Sequence, residues 1–170
     1  MLMERYPTPN SSPGREGHRP RAVVLHTNAG SFSGTLRWFA DPTSGVSAHY
    51  LIGTDGRVAM FVDETDTARH VGRVREPTAS FLTDDDPNLY TIGIEFEDHG
   101  DPAGAPRTDR QYAVGAALLR SIVDRWEIPL NRDHVVGHRE IFVAKNCPGN
   151  LDVDRLVEEA TSLPALRAIR

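Results

Sequence analysis

The stretch VVGHREIFVAKNCPGNLD, residues 135–152, carries His138, Lys145 and the only cysteine of the chain, Cys147. His138 and Cys147 lie nine residues apart, a separation that no single helical face at i, i+4 can bridge. The residues between them have no apolar period and close on Cys-Pro-Gly, so a loop must bring the two together. An imidazole nitrogen and a thiolate converging from a loop suit zinc, which accepts both readily. Two ligands do not make a site. The best third donor is His26, at the end of the apolar run Ala22-Val23-Val24-Leu25, which reads as a buried strand emptying into a Gly/Ser loop.

Outward from these residues, the chain alternates short strands with helices. Residues 1–20, rich in Pro, Gly, Ser and Asn, read as an irregular arm. Residues 35–40 read as a short amphipathic helix opened by Ser33 or Gly34, with Trp38 and Phe39 as packing residues. Residues 46–52 and 57–62 read as two strands joined by the turn Thr54-Asp55-Gly56, with His49 and Tyr50 on opposite faces. A long loop over residues 73–88 includes the acidic run Asp84–Asp86, a solvated face by composition.

Residues 90–97 (YTIGIEFE) alternate cleanly, with Ile92, Ile94 and Phe96 on one face and Thr91, Gly93, Glu95 and Glu97 on the other. Gly93 leaves room for something to approach the sheet. A carboxylate on such a strand costs free energy without a partner or a task, which singles out Glu95, while Glu97 at the strand end is expected to face solvent. After a Gly/Pro-rich loop over residues 98–107, Thr108-x-x-Gln111 forms a capping box for a helix reaching about Trp126. Its buried stripe is Gly115, Leu118, Leu119, Ile122 and Trp126. A short strand over residues 133–137 then delivers His138, and residues 152–160 form a last amphipathic helix. His134 could pair with His138 at i, i+4, but Val-Val-Gly between them disfavours a helix, so His138 is preferred.

The bulk properties set limits. The 170 residues fit one domain with a sizeable core. One cysteine excludes an internal disulfide. The net charge of −5, without a basic stripe, argues against nucleic acid as a partner. No apolar run is long enough to span a bilayer, and the first twenty residues lack the apolar core of a secretory signal. The expectation is therefore a chain made in the cytosol that reaches its target by release or by secretion.

The ordered blocks LHTNAGS, VSAHYLIGTDGRV, ARHVG, TIGIEFED and GHREIFVAKNCPG resemble the zinc-dependent N-acetylmuramoyl-L-alanine amidases of type 2. That family includes phage endolysins, with their bacteriolytic and antimicrobial action, bacterial cell-wall amidases and the peptidoglycan recognition proteins. The resemblance covers about residues 21–160 and leaves residues 1–20 as an arm and 161–170 as a tail. It implies an α/β fold, a single domain with a central mixed sheet flanked by helices, and one zinc ion held by His26, His138 and Cys147. It further implies Glu95 as general base, Lys145 as the stabiliser of an oxyanion, and substrate contacts from Asn28, His49 and His70. The segment around His70 resembles the family's histidine–small–glycine stretch along the groove. Some relatives have a catalytic tyrosine where this chain has Ala48, so that assistance must come from another group. The substrate implied is peptidoglycan, cleaved between the lactyl group of N-acetylmuramic acid and L-alanine of the stem peptide, by a monomer. A binding-only module of the same fold and a structural zinc site completed by His134 are the rival readings, and retention of Cys147, His26, His138, Glu95 and Lys145 together favours the enzyme.

Overall fold

The computed structural model describes residues 3–100 and 106–165. In chain order the elements are β1 (Met3–Arg5), β2 (Ser11–Ser12), β3 (Ala22–Thr27), α1 (Phe32–Ala40), β4 (Tyr50–Ile52), β5 (Val58–Met60) and β6 (Thr67–Ala68). They continue with β7 (Thr91–Phe96), α2 (Asp109–Trp126), β8 (Val135–Gly137) and α3 (Val153–Ser162), with single 3-10 turns at Pro87–Leu89 and His138–Glu140. The main sheet has six strands in the order β1-β5-β4-β7-β3-β8. Its pairings are parallel except β4 with β5, so the sheet is mixed, as expected. A separate two-stranded ribbon joins β2 to β6.

The central strands are buried on both faces, which is why AVVL and TIGI read as nearly continuous apolar runs. On the back face Val23, Leu25, Ile92, Ile94, Phe96 and Val135 meet the buried stripe of α2 and Leu156 and Ala160 of α3. A Cβ on Gly115 would come within 2.9 Å of Phe96 and 3.0 Å of Leu156, so the glycine lets α2 lie close to both sheet and α3. The capping box at Thr108 and Gln111 forms as expected. Trp126, at the end of the stripe, is only partly buried and its indole N–H donates to Glu64.

The front face is different. Val24 and Val136 lie under Val71 and Ile141, with Ala79, Phe81 and Leu82 of the long loop packed against them. Leu51 and Ala59 lie under Phe32 and Phe39 of α1. The loop over residues 73–88 is therefore tied down, with the backbone N–H of Thr78 donating to Glu140 and that of Arg75 to Ile141. The polar residues of the central strands also point to this face and define where chemistry can occur.

Several expectations change. The arm is irregular for most of its described length but anchored, since β1 pairs with β5 and Arg15, 5% exposed, donates to the carbonyls of Glu64, Leu89 and Thr91. Helix α1 starts earlier than expected, because Ser31 rather than Ser33 or Gly34 caps it by accepting from the Gly34 N–H. The strand over residues 46–52 shortens to β4. Helix α3 runs into the expected tail, while residues 101–105 of the Gly/Pro-rich loop and 166–170 of the tail lie outside the described residues. Among the described residues no helix is long and apolar enough to cross a membrane.

Glu97 does not face solvent. It is 3% exposed, and its carboxylate accepts from the backbone N–H of Phe32 at 2.6 Å and of Thr54 at 2.9 Å. The first N–H groups of a helix lack intrahelical acceptors and carry partial positive charge, which a carboxylate satisfies. Glu97→Ala would leave these buried donors unpaired and is expected to destabilise the fold by about 1–3 kcal/mol. The measurement is a lowered denaturant midpoint at unchanged slope; an unchanged midpoint would show that water replaces the carboxylate at no cost.

Candidate metal centre

The front-face site follows from strand register. In the parallel pair β3–β7, His26 stands opposite Glu95, and in β3–β8, Leu25 stands opposite Gly137, so His138 follows at the next position. All three side chains therefore emerge where parallel strands end, the usual place for sites on such sheets. Cys147 arrives from the loop that follows. A Cβ on Gly137 would lie 2.6 Å from Pro148, so the glycine allows that loop to close on the end of β8.

The ligand atoms of His26, His138 and Cys147 all lie within 4.8 Å of one another. The rings of His26 and His138 meet edge to face with centroids 4.7 Å apart. Cys147 Sγ is 3.6 Å from His26 Nδ1 and accepts from the backbone N–H of Thr27 at 3.3 Å. His134 lies away from this group, with its Nδ1 beside Asn131 Oδ1 at 3.0 Å, and among the described residues no fourth ligand closes the set. That geometry argues against a closed structural site, which takes four protein ligands.

The electrostatics fit a cation. Burial, followed by the neighbouring His138, His70 and Lys145, holds His26 well below the ordinary histidine range, and burial holds His138 below it too. Both imidazoles are therefore neutral, the form that ligates. Burial and the nearby Glu95 push the Cys147 thiol up to about 12, so in the absence of a cation the sulfur stays protonated. Two neutral nitrogens and a sulfur that ionises only against positive charge form the donor chemistry of a borderline-soft divalent metal.

Glu95 lies at the rim of this group. It is partly exposed, yet its Oε2 is buried without a hydrogen-bond partner. Burial and the adjacent Asp98 push its carboxyl up to about 8. These groups line a cavity of about 640 Å³ together with Asn28, Trp38, Val46, Arg69, His70 and Lys145. Lys145 stands on the exposed loop beside Phe142, with Nζ 5.9 Å from the ring centroid.

The residues expected to touch substrate divide. Asn28 lines the cavity, but its amide is engaged internally: Nδ2 donates to Thr35 and Oδ1 accepts from the Gly30 and Asp98 N–H groups. His70 lines the cavity but is only 9% exposed, because its ring lies on Gly93, where a Cβ would come within 2.6 Å of it. The room left by Gly93 is thus filled by a side chain of the same protein. His49 is fully buried, accepts from the Gly93 N–H at 3.0 Å and lies beside Arg15, so direct contact with a ligand is not available to it. Ala48, also fully buried, packs beneath α1.

Sequence reading missed three contributors. Trp38, expected to pack, is 55% exposed and forms part of the cavity wall. The signal was available, since the buried residues Phe32, Thr35 and Phe39 repeat at i, i+3 and i+7 and leave Trp38 off that stripe. Asp98 and Arg107 form a buried ion pair bridged by the Thr27 hydroxyl, with Arg107 reaching on to Asn150 beyond the cysteine loop. Nothing local in the sequence marks that link.

Comparison with known proteins agrees with this geometry. A family model described as N-acetylmuramoyl-L-alanine amidase matches residues 16–150. N-acetylmuramoyl-L-alanine amidase A of Achromobacter lyticus is 34% identical over 99 residues, 58% of this chain and 49% of that protein, so the chain spans about half of that relative's length. The solved structure of a selenomethionine derivative of AmpD is similar with a TM-score of 0.73 at 25% identity, over 94% of this chain and 99% of that one. AmiD from E. coli, solved with the substrate anhydro-N-acetylmuramic acid-L-Ala-D-γ-Glu-L-Lys, is similar with a TM-score of 0.67 at 26% identity, over 87% of this chain and 58% of that one.

Because Cys147 is protonated and both histidines are neutral before a cation arrives, zinc added to the zinc-free protein at pH 7 should release at least one proton per ion. Calorimetry in buffers of different ionisation enthalpy reads that number. Zinc uptake without proton release would show that the thiol is not a ligand.

Proposed function

The chain belongs to the N-acetylmuramoyl-L-alanine amidase family, and on that premise we propose that it is a zinc-dependent peptidoglycan hydrolase. The bond cleaved is the amide between the lactyl group of N-acetylmuramic acid and L-alanine of the stem peptide. The observation that carries this reading is the convergence of His26, His138 and Cys147, with no fourth ligand among the described residues, beside Glu95 in an open cavity.

The three residues would hold one zinc ion, and their donor set matches that ion's preference for nitrogen and thiolate sulfur. When bound, zinc supplies Lewis acidity, which makes water a competent nucleophile near neutral pH and polarises a carbonyl. The protein supplies the rest. Glu95 has the place of a general base: burial raises its affinity for a proton, and in its ionised form, which a neighbouring cation would favour, the carboxylate with its unpartnered Oε2 accepts a proton from the attacking water and returns it to the departing amine. Lys145, on a flexible stem at the cavity edge, brings Nζ to the oxygen that becomes negative as the carbonyl turns tetrahedral. Trp38 and Val46 give the wall an apolar surface against which a sugar ring or a peptide side chain can lie. Ala48 is fully buried beneath α1 and cannot take the part of a catalytic tyrosine, which leaves Glu95 and Lys145 as the reacting groups.

Peptidoglycan digested with the protein should yield free L-alanine amino termini on intact glycan chains, by mass spectrometry, with activity lost on chelation and restored by zinc. Glu95→Gln should lower kcat by roughly a hundred- to ten-thousandfold, and Lys145→Met by roughly a hundred- to a thousandfold. New reducing sugar ends would contradict the amidase reading. Bound zinc without cleavage would favour a binding-only module.

A further inference from the structure

A neutral imidazole carries one proton, and the nitrogen that ligates a metal is decided by what the other nitrogen does. His138 is simple. Its Nε2 lies 2.7 Å from the Val71 carbonyl oxygen, which can only accept, so the proton resides on Nε2 and Nδ1 keeps its lone pair.

His26 needs a longer chain of reasoning. Its Nε2 faces another ring nitrogen, His70 Nδ1, at 3.0 Å, and one of the two must be the donor. The direction is set at the far end. The Thr91 hydroxyl donates to the Pro87 carbonyl at 2.7 Å, which turns an oxygen lone pair towards His70 Nε2 at 3.2 Å. His70 therefore carries its proton on Nε2, its Nδ1 is bare, and His26 donates from Nε2. What remains on His26 is a bare Nδ1, the atom that faces Cys147 Sγ.

The two acceptors for His26 and His138 belong to consecutive residues. The backbone N–H groups of His70 and Val71 both donate to Asn88 Oδ1, at 2.9 and 3.0 Å, while Asn88 Nδ2 donates to Asp86. Asn88 is buried, and the His70 ring is seated on Gly93. One side-chain amide thus holds the dipeptide that meets both histidines.

We propose that the His70–Val71 dipeptide, pinned by Asn88, is a shared outer shell that fixes the Nε2–H tautomer of both His26 and His138 and so presents Nδ1 of each to one metal ion. The role of His70 is then positioning, through His26, rather than contact with substrate. This inference rests on the metal reading above, but its proton assignment holds for the zinc-free protein and is tested there.

The experiment records long-range proton–nitrogen NMR spectra of the histidine rings in the whole zinc-free protein, and zinc affinity by chelator competition. Wild type should show His26, His70 and His138 protonated on Nε2. His70→Phe keeps a ring on Gly93 but removes the acceptor; zinc affinity should fall roughly ten- to a hundredfold, and His26 should become a tautomer mixture while His138 is unchanged. His70→Asn, with an oxygen near the place of Nδ1, should bind zinc more tightly than His70→Phe. Should His70→Phe fail to fold, Thr91→Val, which keeps the shape and removes the hydroxyl, should shift the His70 proton and weaken zinc binding. Protonation of His26 on Nδ1 in wild type would overturn the inference. So would wild-type zinc affinity in His70→Phe, or in Thr91→Val where that variant is the one measured. Nε2–H tautomers in a wild-type protein that binds no zinc would instead overturn the metal reading and leave the proton assignment standing.

Discussion

The parallel register between β3 and β7 sets His26 opposite Glu95, and the cavity depends on that pairing. Side chains alternate along a strand, so a slip of one residue would carry His26 into the apolar layer beneath α2 and α3 and bring Leu25 to the front. The apolar alternation forbids the slip: Val23 and Leu25 fill the back layer with Ile92, Ile94 and Phe96. Pairing of β8 on the other edge of β3 adds His138 at the same level. The back-face core thus holds His26, Glu95 and His138 at one level from the opposite side of the sheet.

Burial gives the front face its chemical character. His70 lies between His26 and His49 across it, with ring centroids 5.2 Å from the first and 5.7 Å from the second. Burial and the neighbouring Arg15 push His49 down to about 3, and burial brings Arg15 down to about 10. Protonating any of these largely buried rings would place a second positive charge close to Arg15 or Lys145, so the three imidazoles stay neutral. The Asp98–Arg107 pair lies behind the sulfur and connects, through Thr27 and Asn150, the two segments that carry His26 and Cys147.

How much of this was legible depended on whether the signal was local. His138 and Cys147 announced themselves through a loop with no apolar period, His26 through its place at the end of a buried run, and Glu95 through a carboxylate on a clean alternation. The capping box of α2 was readable for the same reason. Glu97 was misread because its partner, the first turn of α1, is brought to it only by the tertiary fold. The anchoring of the arm was not legible because pairing of β1 with β5 links segments more than fifty residues apart, and composition carries no trace of that. Gly93 correctly signalled a close approach, but the identity of the group approaching, His70, is a property of the folded chain.

The central claim is that His26, His138 and Cys147 bind one zinc ion and leave a position open for chemistry. X-ray absorption of the zinc-loaded protein at the zinc edge tests it most directly. The expected shell has two imidazole nitrogens at about 2.0–2.1 Å, one sulfur at about 2.3 Å and one further light atom from solvent. A shell without sulfur, or one closed by a fourth protein ligand, would contradict the account.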